Sequence, residues 1–389
     1  MTERERVLKI VDGGRPDRLP WFADLAYWIE YLNDCGLMPE KYLLPEEHAR
    51  EEAKIGLGIA NEFNEKGLQL LHRDVGAGFY LAGYFPWKTE FEGVDIDEEI
   101  TYQGKDQVRV TTVHTPFGDM QEVWVYYFDN HCWGPKVNMV QGLEDLKKIR
   151  YLYEHTFYEP DYDLAQRRYE TIGDNGVVLC YMPRSPMAEM AVLRAGIENC
   201  TYMISDDEDE WAHTISVVEK KLDEACEISL ASPAECIMIP DNLSSEMVGL
   251  SYYDKYYKGF HSKWCSRIKE AGKFSLVHLD GTVKPLITEL CKSGFDVIEA
   301  VTPAPVGDQP FKKIRPLMSE QTIIWGGIPG GYFHPTVSDE VFDEFVISLI
   351  DAMKEDGRSV LAVGDQVVPG SSFERVARAK KLVEEYGYF

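Results

Sequence analysis

The chain has 389 residues, with 66 acidic against 40 basic side chains and a formal charge of −26. A surface that acidic repels phosphate backbones and anionic membranes, and no basic run compensates, so neither nucleic acid nor a membrane is expected as a partner. No apolar run approaches the roughly 18 residues of a spanning helix, and the charged opening Met1-Thr2-Glu3-Arg4 has no apolar signal core, so a cytoplasmic protein is expected. Its eight cysteines are scattered without a CxxC pair, the pattern of reduced, mostly buried thiols rather than disulfides or a zinc finger.

In chain order, Thr2 and Glu5 form a capping box ahead of Val7, Leu8, Ile10 and Val11, and Gly13-Gly14 stops that helix. Arg15 to Pro20 is an extended connector into a short strand, Trp21-Phe22-Ala23. A further strand near residues 68–73 is ill defined. Between about 85 and 130, Val108, Val110 and Val113 lie near a period of two, Thr115-Pro116-Phe117-Gly118 is a turn, and Val123 and Val125 continue beyond it. This predicts an accessory antiparallel β-hairpin, which also offers a surface for a homodimer.

From about residue 175 the pattern becomes strand, helix, strand, helix. Short apolar runs at Val177–Tyr181, Cys236–Pro240, Phe274–Val277, Phe295–Ala300, Thr322–Trp325 and Val360–Val363 read as buried parallel strands. Amphipathic stretches separate them: one capped by Ser205 with Glu208, one facing inward through Val341, Phe345, Leu349 and Ile350, and a last one from Ser371 to Gly387. With the two N-terminal strands the count comes close to eight. The expected fold is α/β, a (β/α)8 TIM barrel in a single domain spanning 1–389, with an N-terminal helical and hairpin elaboration.

In such a barrel the functional groups follow the C-terminal strand ends. That rule selects Asp241 and Asn242, His278 and Asp280, Glu299, and Asp365 with Gln366. One imidazole among several carboxylates suits zinc or a similar divalent ion. Each residue has a plainer reading: His278 as a core histidine bonded to Asp241, Glu299 as the partner of a buried cation, Asp365 and Asp280 as turn formers beside glycine. Gly326 to Gly331 lacks the Lys-Ser/Thr of a phosphate-binding loop and reads as a strand-end loop passing close to a ligand. His213 and His261, on predicted helices, read as solvated.

Taken together, these residues resemble the uroporphyrinogen-decarboxylase superfamily. The likeness rests on Arg4 to Leu8 with Gly14 to Pro20, on His278-Leu279-Asp280-Gly281 through Glu299, and on Val360 to Pro369 with Val383 to Gly387. It spans nearly the whole chain. The superfamily's decarboxylases carry Met-Arg-Gln-Ala-Gly-Arg after the first strand, whose arginines hold tetrapyrrole carboxylates. Here Trp21-Phe22-Ala23-Asp24-Leu25-Ala26-Tyr27-Trp28 stands instead, an acid and four aromatics, which argues on charge against that substrate.

The other branch holds corrinoid-linked methyltransferases. Its thiol-acceptor members carry His-x-Cys and a later Cys where this chain has His278-Leu279-Asp280 and Asp365. Carboxylates in place of thiolates make a harder Lewis acid, suited to an ether oxygen. Glu299 to Asp308 resembles the members that demethylate aryl methyl ethers.

The resemblance therefore implies zinc on His278 and Glu299, with Asp280, Asp365 or Asp241 as further ligands. It also implies a small aromatic methyl donor and a separate corrinoid protein whose cobalamin accepts the methyl group. Trp21, Asp24, Tyr27, Trp28, Tyr181 and Met182 are the expected substrate-binding residues, and a core role fits these aromatics equally. Two alternatives stand beside this reading: a decarboxylase or lyase acting on a smaller acid, and a non-catalytic binding barrel.

Overall fold

The computed structural model describes residues 1–43 and 65–389. They divide into two compact units, the first made of Met1–Phe85, Asp163–Tyr181 and Pro233–Phe389, the second of Pro86–Tyr162 and Met182–Ser232.

The first unit is built on seven parallel strands: β1 (Trp21–Phe22), β2 (Leu179–Tyr181), β3 (Cys236–Leu243), β4 (Phe274–Leu279), β5 (Val297–Val301), β6 (Ile323–Pro329) and β7 (Ser359–Gly364). They pair in the order β1-β7-β6-β5-β4-β3-β2. Residues 78–84 join the two edges, through parallel bridges from Gly78 to Phe22, Phe79 to Gly176 and Tyr84 to Cys180. Hydrogen bonds from the Gly78 N–H to the Trp21 carbonyl and from the Tyr181 N–H to the Tyr84 carbonyl, both 2.8 Å, make the join. Chain order thus becomes ring order all the way round, as in a TIM barrel. Closure requires a glycine at 176, where a Cβ would sit 1.9 Å from the Phe79 carbonyl oxygen.

The second barrel position is therefore 78–84, and the ill-defined strand near 68–73 is instead part of the helix Glu65–Val75. Leu68, Leu71, His72 and Val75 are buried at spacings of three and four, a helical period. Alternation fills the barrel: Phe22, Tyr80, Leu179, Tyr181, Cys236, Met238, Leu276, Trp325 and Ala362 all belong to one interior cluster. Gly326 and Gly327 lie inside β6 rather than in a ligand loop. At φ +147°, Gly326 lets β6 pass β5 where a Cβ would meet the Val301 carbonyl oxygen at 2.5 Å. The open space serves the protein's own backbone.

The N-terminal capping box forms as read, with Thr2 Oγ1 accepting from the Glu5 N–H and Glu5 accepting from the Thr2 N–H. The helix Asp339–Asp356 buries Phe342, Val346, Leu349, Ile350 and Met353. Its inward stripe starts one residue later than expected, and Val341 is exposed. All eight cysteines are free thiols.

His72 is fully buried, its ring edge-on to Phe79 with centroids 5.0 Å apart. Burial disfavours its charged form and lowers its pKa to about 4. Its folded pKa is thus below the unfolded value of 6.5, so the stabilisation is complete above pH 6.5 and is lost as pH falls toward 4. The expected loss is about 3 kcal/mol. Chemical denaturation of wild type and His72→Leu across this range checks it: the stability difference should shrink in favour of the leucine variant as pH falls. A constant difference would contradict the shift.

In the second unit, the expected hairpin is part of a larger sheet. Strands Asp95–Gln103, Asp106–His114, Met120–Tyr127 and Cys132–Val137 form a four-stranded antiparallel sheet, and Trp87–Phe91 pairs with Thr156–Pro160. The first edge strand reads Asp-Ile-Asp-Glu-Glu-Ile-Thr-Tyr-Gln, and all nine residues are exposed. With neither face buried it shows no clean apolar alternation, which is why its sequence concealed it. The helix Glu208–Ala231 is capped by Asp207, whose side chain accepts from the Glu210 N–H, and Ser205 falls in the preceding helix Ile197–Asp206.

Candidate active site at the strand ends

Inward positions of β4, β5 and the 78–84 segment bring three groups into one hydrogen-bonded chain. His278 and Glu299 are register partners across β4 and β5, and His278 Nδ1 lies 2.7 Å from Glu299 Oε2. The other carboxylate oxygen, Oε1, accepts from the Tyr80 hydroxyl at 2.7 Å. Glu299 is fully buried, and the His278 side chain is 18% exposed. A buried carboxylate is costly unless paired, and this one has a partner on each oxygen.

Beyond the imidazole, His278 Nε2 lies 3.8 Å from Asp365 Oδ1. Burial alone would pull the His278 pKa down. The charge and hydrogen bond of Glu299, with the charges of Asp365 and Asp280, outweigh it and lift the value to about 9. Burial raises the Asp365 carboxyl, opposed by His278 and reinforced by Asp280 and Glu299. Asp24, just after β1, is pushed up to about 7 by burial, against the Ala26 N–H and with the Asp365 and Glu299 charges adding to the rise. Two non-glycine residues beside these groups have left-handed backbones, Ala300 at φ 62° and Asp365 itself at φ 75°. Backbone strain of this kind persists where the surroundings over-determine it, often at functional sites.

The other expected residues are placed differently. Asp241 leaves the barrel interior: its Oδ2 lies 2.9 Å from His261 Nε2, with both residues fully buried. His261 Nδ1 is 3.0 Å from the Tyr253 hydroxyl, which is 2.8 Å from Ser293 Oγ. The histidine bonded to Asp241 is therefore His261, not His278. His261 is enclosed rather than solvated, while His213 is exposed. Trp21 stacks on Phe333, centroids 6.1 Å apart, while its neighbour Phe22 occupies the interior. Trp28 donates its indole N–H to the Ser371 carbonyl and packs on Phe373. Tyr27 donates its backbone N–H to Gln366 Oε1. Tyr181 faces the interior, and its hydroxyl accepts from the Gly83 N–H. Met182 is buried and belongs to the second unit. Asp280 accepts from the Gly281 N–H at 2.6 Å and acts on His278 and Asp365 through its charge.

Tyr80 was not anticipated. Phe79-Tyr80-Leu81-Ala82 is an apolar run of strand type set between Gly78 and Gly83, and it was passed over. A signal existed in its spacing from β1, one helix away, which is where the second barrel strand must fall. Replacing Tyr80 by phenylalanine strips the donor from a buried carboxylate oxygen and is expected to cost about 1–3 kcal/mol. Thermal unfolding checks the cost, and a midpoint equal to wild type would show that Glu299 finds another donor.

Two ligands of one tetrahedral zinc, each bonded at about 2.0–2.1 Å, stand roughly 3.4 Å apart. His278 Nε2 and Asp365 Oδ1, at 3.8 Å, come near that spacing. Glu299, expected as a ligand, holds the far ring nitrogen, the arrangement by which a carboxylate fixes the tautomer of a metal-binding histidine. Among the described residues no ready cluster of three His, Cys, Asp or Glu donors is present, so a complete shell needs a further donor to turn in. The donor chemistry and this one pair suit a divalent ion.

Residues 134–386 match the model of the uroporphyrinogen decarboxylase (URO-D) family, well over half of the chain. The chain belongs to the uroporphyrinogen decarboxylase family. A solved structure described as a methyltransferase from Methanosarcina mazei is similar to this URO-D family member at a TM-score of 0.62 and 16% identity, covering 99% of each chain. At that identity the likeness establishes a shared fold. An octameric ribulose-1,5-bisphosphate carboxylase/oxygenase (Rubisco) from Pyrococcus horikoshii OT3 matches at a TM-score of only 0.30 and 9% identity, over 62% of this chain and 48% of its own. No curated protein matches this URO-D family chain. Among the described residues no helix is long and apolar enough to cross a membrane.

Proposed function

We propose that this chain is a methyltransferase that takes a methyl group from an aryl methyl ether and passes it to the cobalamin of a partner corrinoid protein, with zinc as Lewis acid. The observation that carries the reading is the Tyr80–Glu299–His278 chain, which ends in an imidazole nitrogen facing Asp365 at the barrel's strand ends. Membership of the URO-D family and the fold shared with a Methanosarcina methyltransferase support it.

In this reading zinc would be held by His278 Nε2 and Asp365, with Asp280 completing the set, and would draw electron density from the ether oxygen. A bound corrinoid would supply the electron pair for the new bond to methyl, and the pair of the methyl–oxygen bond would stay on the oxygen. Glu299 Oε2 fixes the imidazole in the tautomer that presents Nε2, and Tyr80 in turn fixes Glu299. Asp24, with its raised pKa, is the group suited to hold the proton that the departing phenolate oxygen takes up.

Metal content and methyl transfer, measured together, test the reading. Protein purified without chelators should carry zinc, and should transfer methyl from a methoxyarene only with a corrinoid acceptor present. Turnover of a small acid without corrinoid would replace it by the decarboxylase reading.

A further inference from the structure

We infer that the methyl donor carries no negative charge: the site selects uncharged or cationic methoxyarenes and rejects carboxylated ones. The inference deepens the proposed demethylation and rests on it for the class of molecule.

Glu299 and Asp365 flank the two nitrogens of His278 at 2.7 and 3.8 Å, and Asp24 and Asp280 act on this site through their charges. Asp24 feels Asp365 and Glu299, and Asp365 feels Asp280 and Glu299. Among the described residues the cation acting on Asp365 is His278, already held by Glu299 at 2.7 Å. The inward residues of the neighbouring strands are Tyr80, Tyr181, Phe22 and Trp325, none of them basic. A divalent ion would not reverse the sign, because an imidazole bound to a metal is neutral and, with Asp24 holding its proton, the three other carboxylates still outnumber two positive charges.

A second observation points the same way. Asp24 is nine-tenths buried, and its Oδ1 is taken by the Ala26 N–H at 2.9 Å. Among the described residues no hydrogen bond or ion pair reaches its Oδ2. A carboxyl oxygen left open beside other carboxylates can take a hydroxyl or an ammonium and disfavours an anion. In the interior cluster, Tyr80 and Phe22 pack against Trp325 with centroids 4.7 and 4.9 Å apart, so aromatic rings rather than cations fill the barrel below the strand ends.

Binding can be read without turnover by using the demethylated products as probes. Calorimetry with 4-hydroxybenzoate, 4-hydroxybenzyl alcohol and 4-hydroxybenzylamine at neutral pH compares three charges on one skeleton. The alcohol and the amine should each bind at least tenfold tighter than the benzoate, and Asp280→Asn should narrow that gap. A benzoate that binds as well as the alcohol, or no binding by any of the three at millimolar concentration, overturns the inference. Methyl transfer from the matching methoxy compounds to a corrinoid acceptor is read separately. The expected binding order without transfer would remove the demethylation reading and leave the charge selection standing.

Discussion

His278→Ala should abolish methyl transfer while leaving the barrel folded. Among the described residues the imidazole is the one nitrogen donor in the cluster, and its Nε2 faces Asp365, so its removal takes away the metal's firmest ligand in the proposed site. Loss of such electrostatic stabilisation is expected to lower kcat by 10² to 10³-fold or more. The ring is partly exposed and packs at the strand ends, not in the interior cluster. It leaves Glu299 buried with Tyr80 still bonded, so the unfolding midpoint should fall by only a few degrees. Zinc content should fall in parallel with activity. Near-wild-type transfer by a folded His278→Ala protein would remove these residues from the reaction.

The second large effect concerns stability. Arg168 is fully buried in the barrel unit, and its guanidinium binds Glu65 through Nε at 3.0 Å and Nη2 at 3.2 Å. Nη1 donates to the Ala82 carbonyl at 2.6 Å, and the group lies over the rings of Phe79 and Tyr84. Arg168 thus fastens the 78–84 segment that closes the ring. Arg168→Ala leaves Glu65 buried without a counter-charge, and such a break costs about 3–5 kcal/mol. Denaturant unfolding of the alanine variant, beside Arg168→Met combined with Glu65→Leu, separates the charge from the packing. The double variant should recover much of the loss, and an alanine variant within about 1 kcal/mol of wild type would show that the pair contributes little.

Six of the barrel strands were legible because each is a short apolar run buried on both faces, and strand ends then pointed to His278, Glu299 and Asp365. The same rule misdirects at Asp241. Strand position alone does not tell which face a side chain takes, and the deciding partner, His261, lies 20 residues on in another element. Tyr80 was passed over although Phe79 to Ala82 is an apolar run, because glycines enclose it and it is only four residues long. Residues 78–84 hold their place through isolated bridges, the Arg168 contact and a glycine on the facing segment, none of which leaves a local periodicity. Trp21 and Trp28 show the converse: their composition suggested a ligand wall, and they serve as packing against Phe333 and Phe373.

The edge strand Asp95–Gln103 has a bearing on how the protein behaves at high concentration. Nine exposed residues with one unpaired flank are a template on which another chain can add a strand. Asp95, Asp97, Glu98 and Glu99 make that template self-repelling, since a second copy laid alongside would bring acid against acid. The protection is electrostatic and therefore conditional: it holds in dilute buffer near neutral pH, and weakens as carboxylates are protonated or as salt screens them. Storage in acid or concentrated salt therefore lowers the barrier to edge-to-edge aggregation.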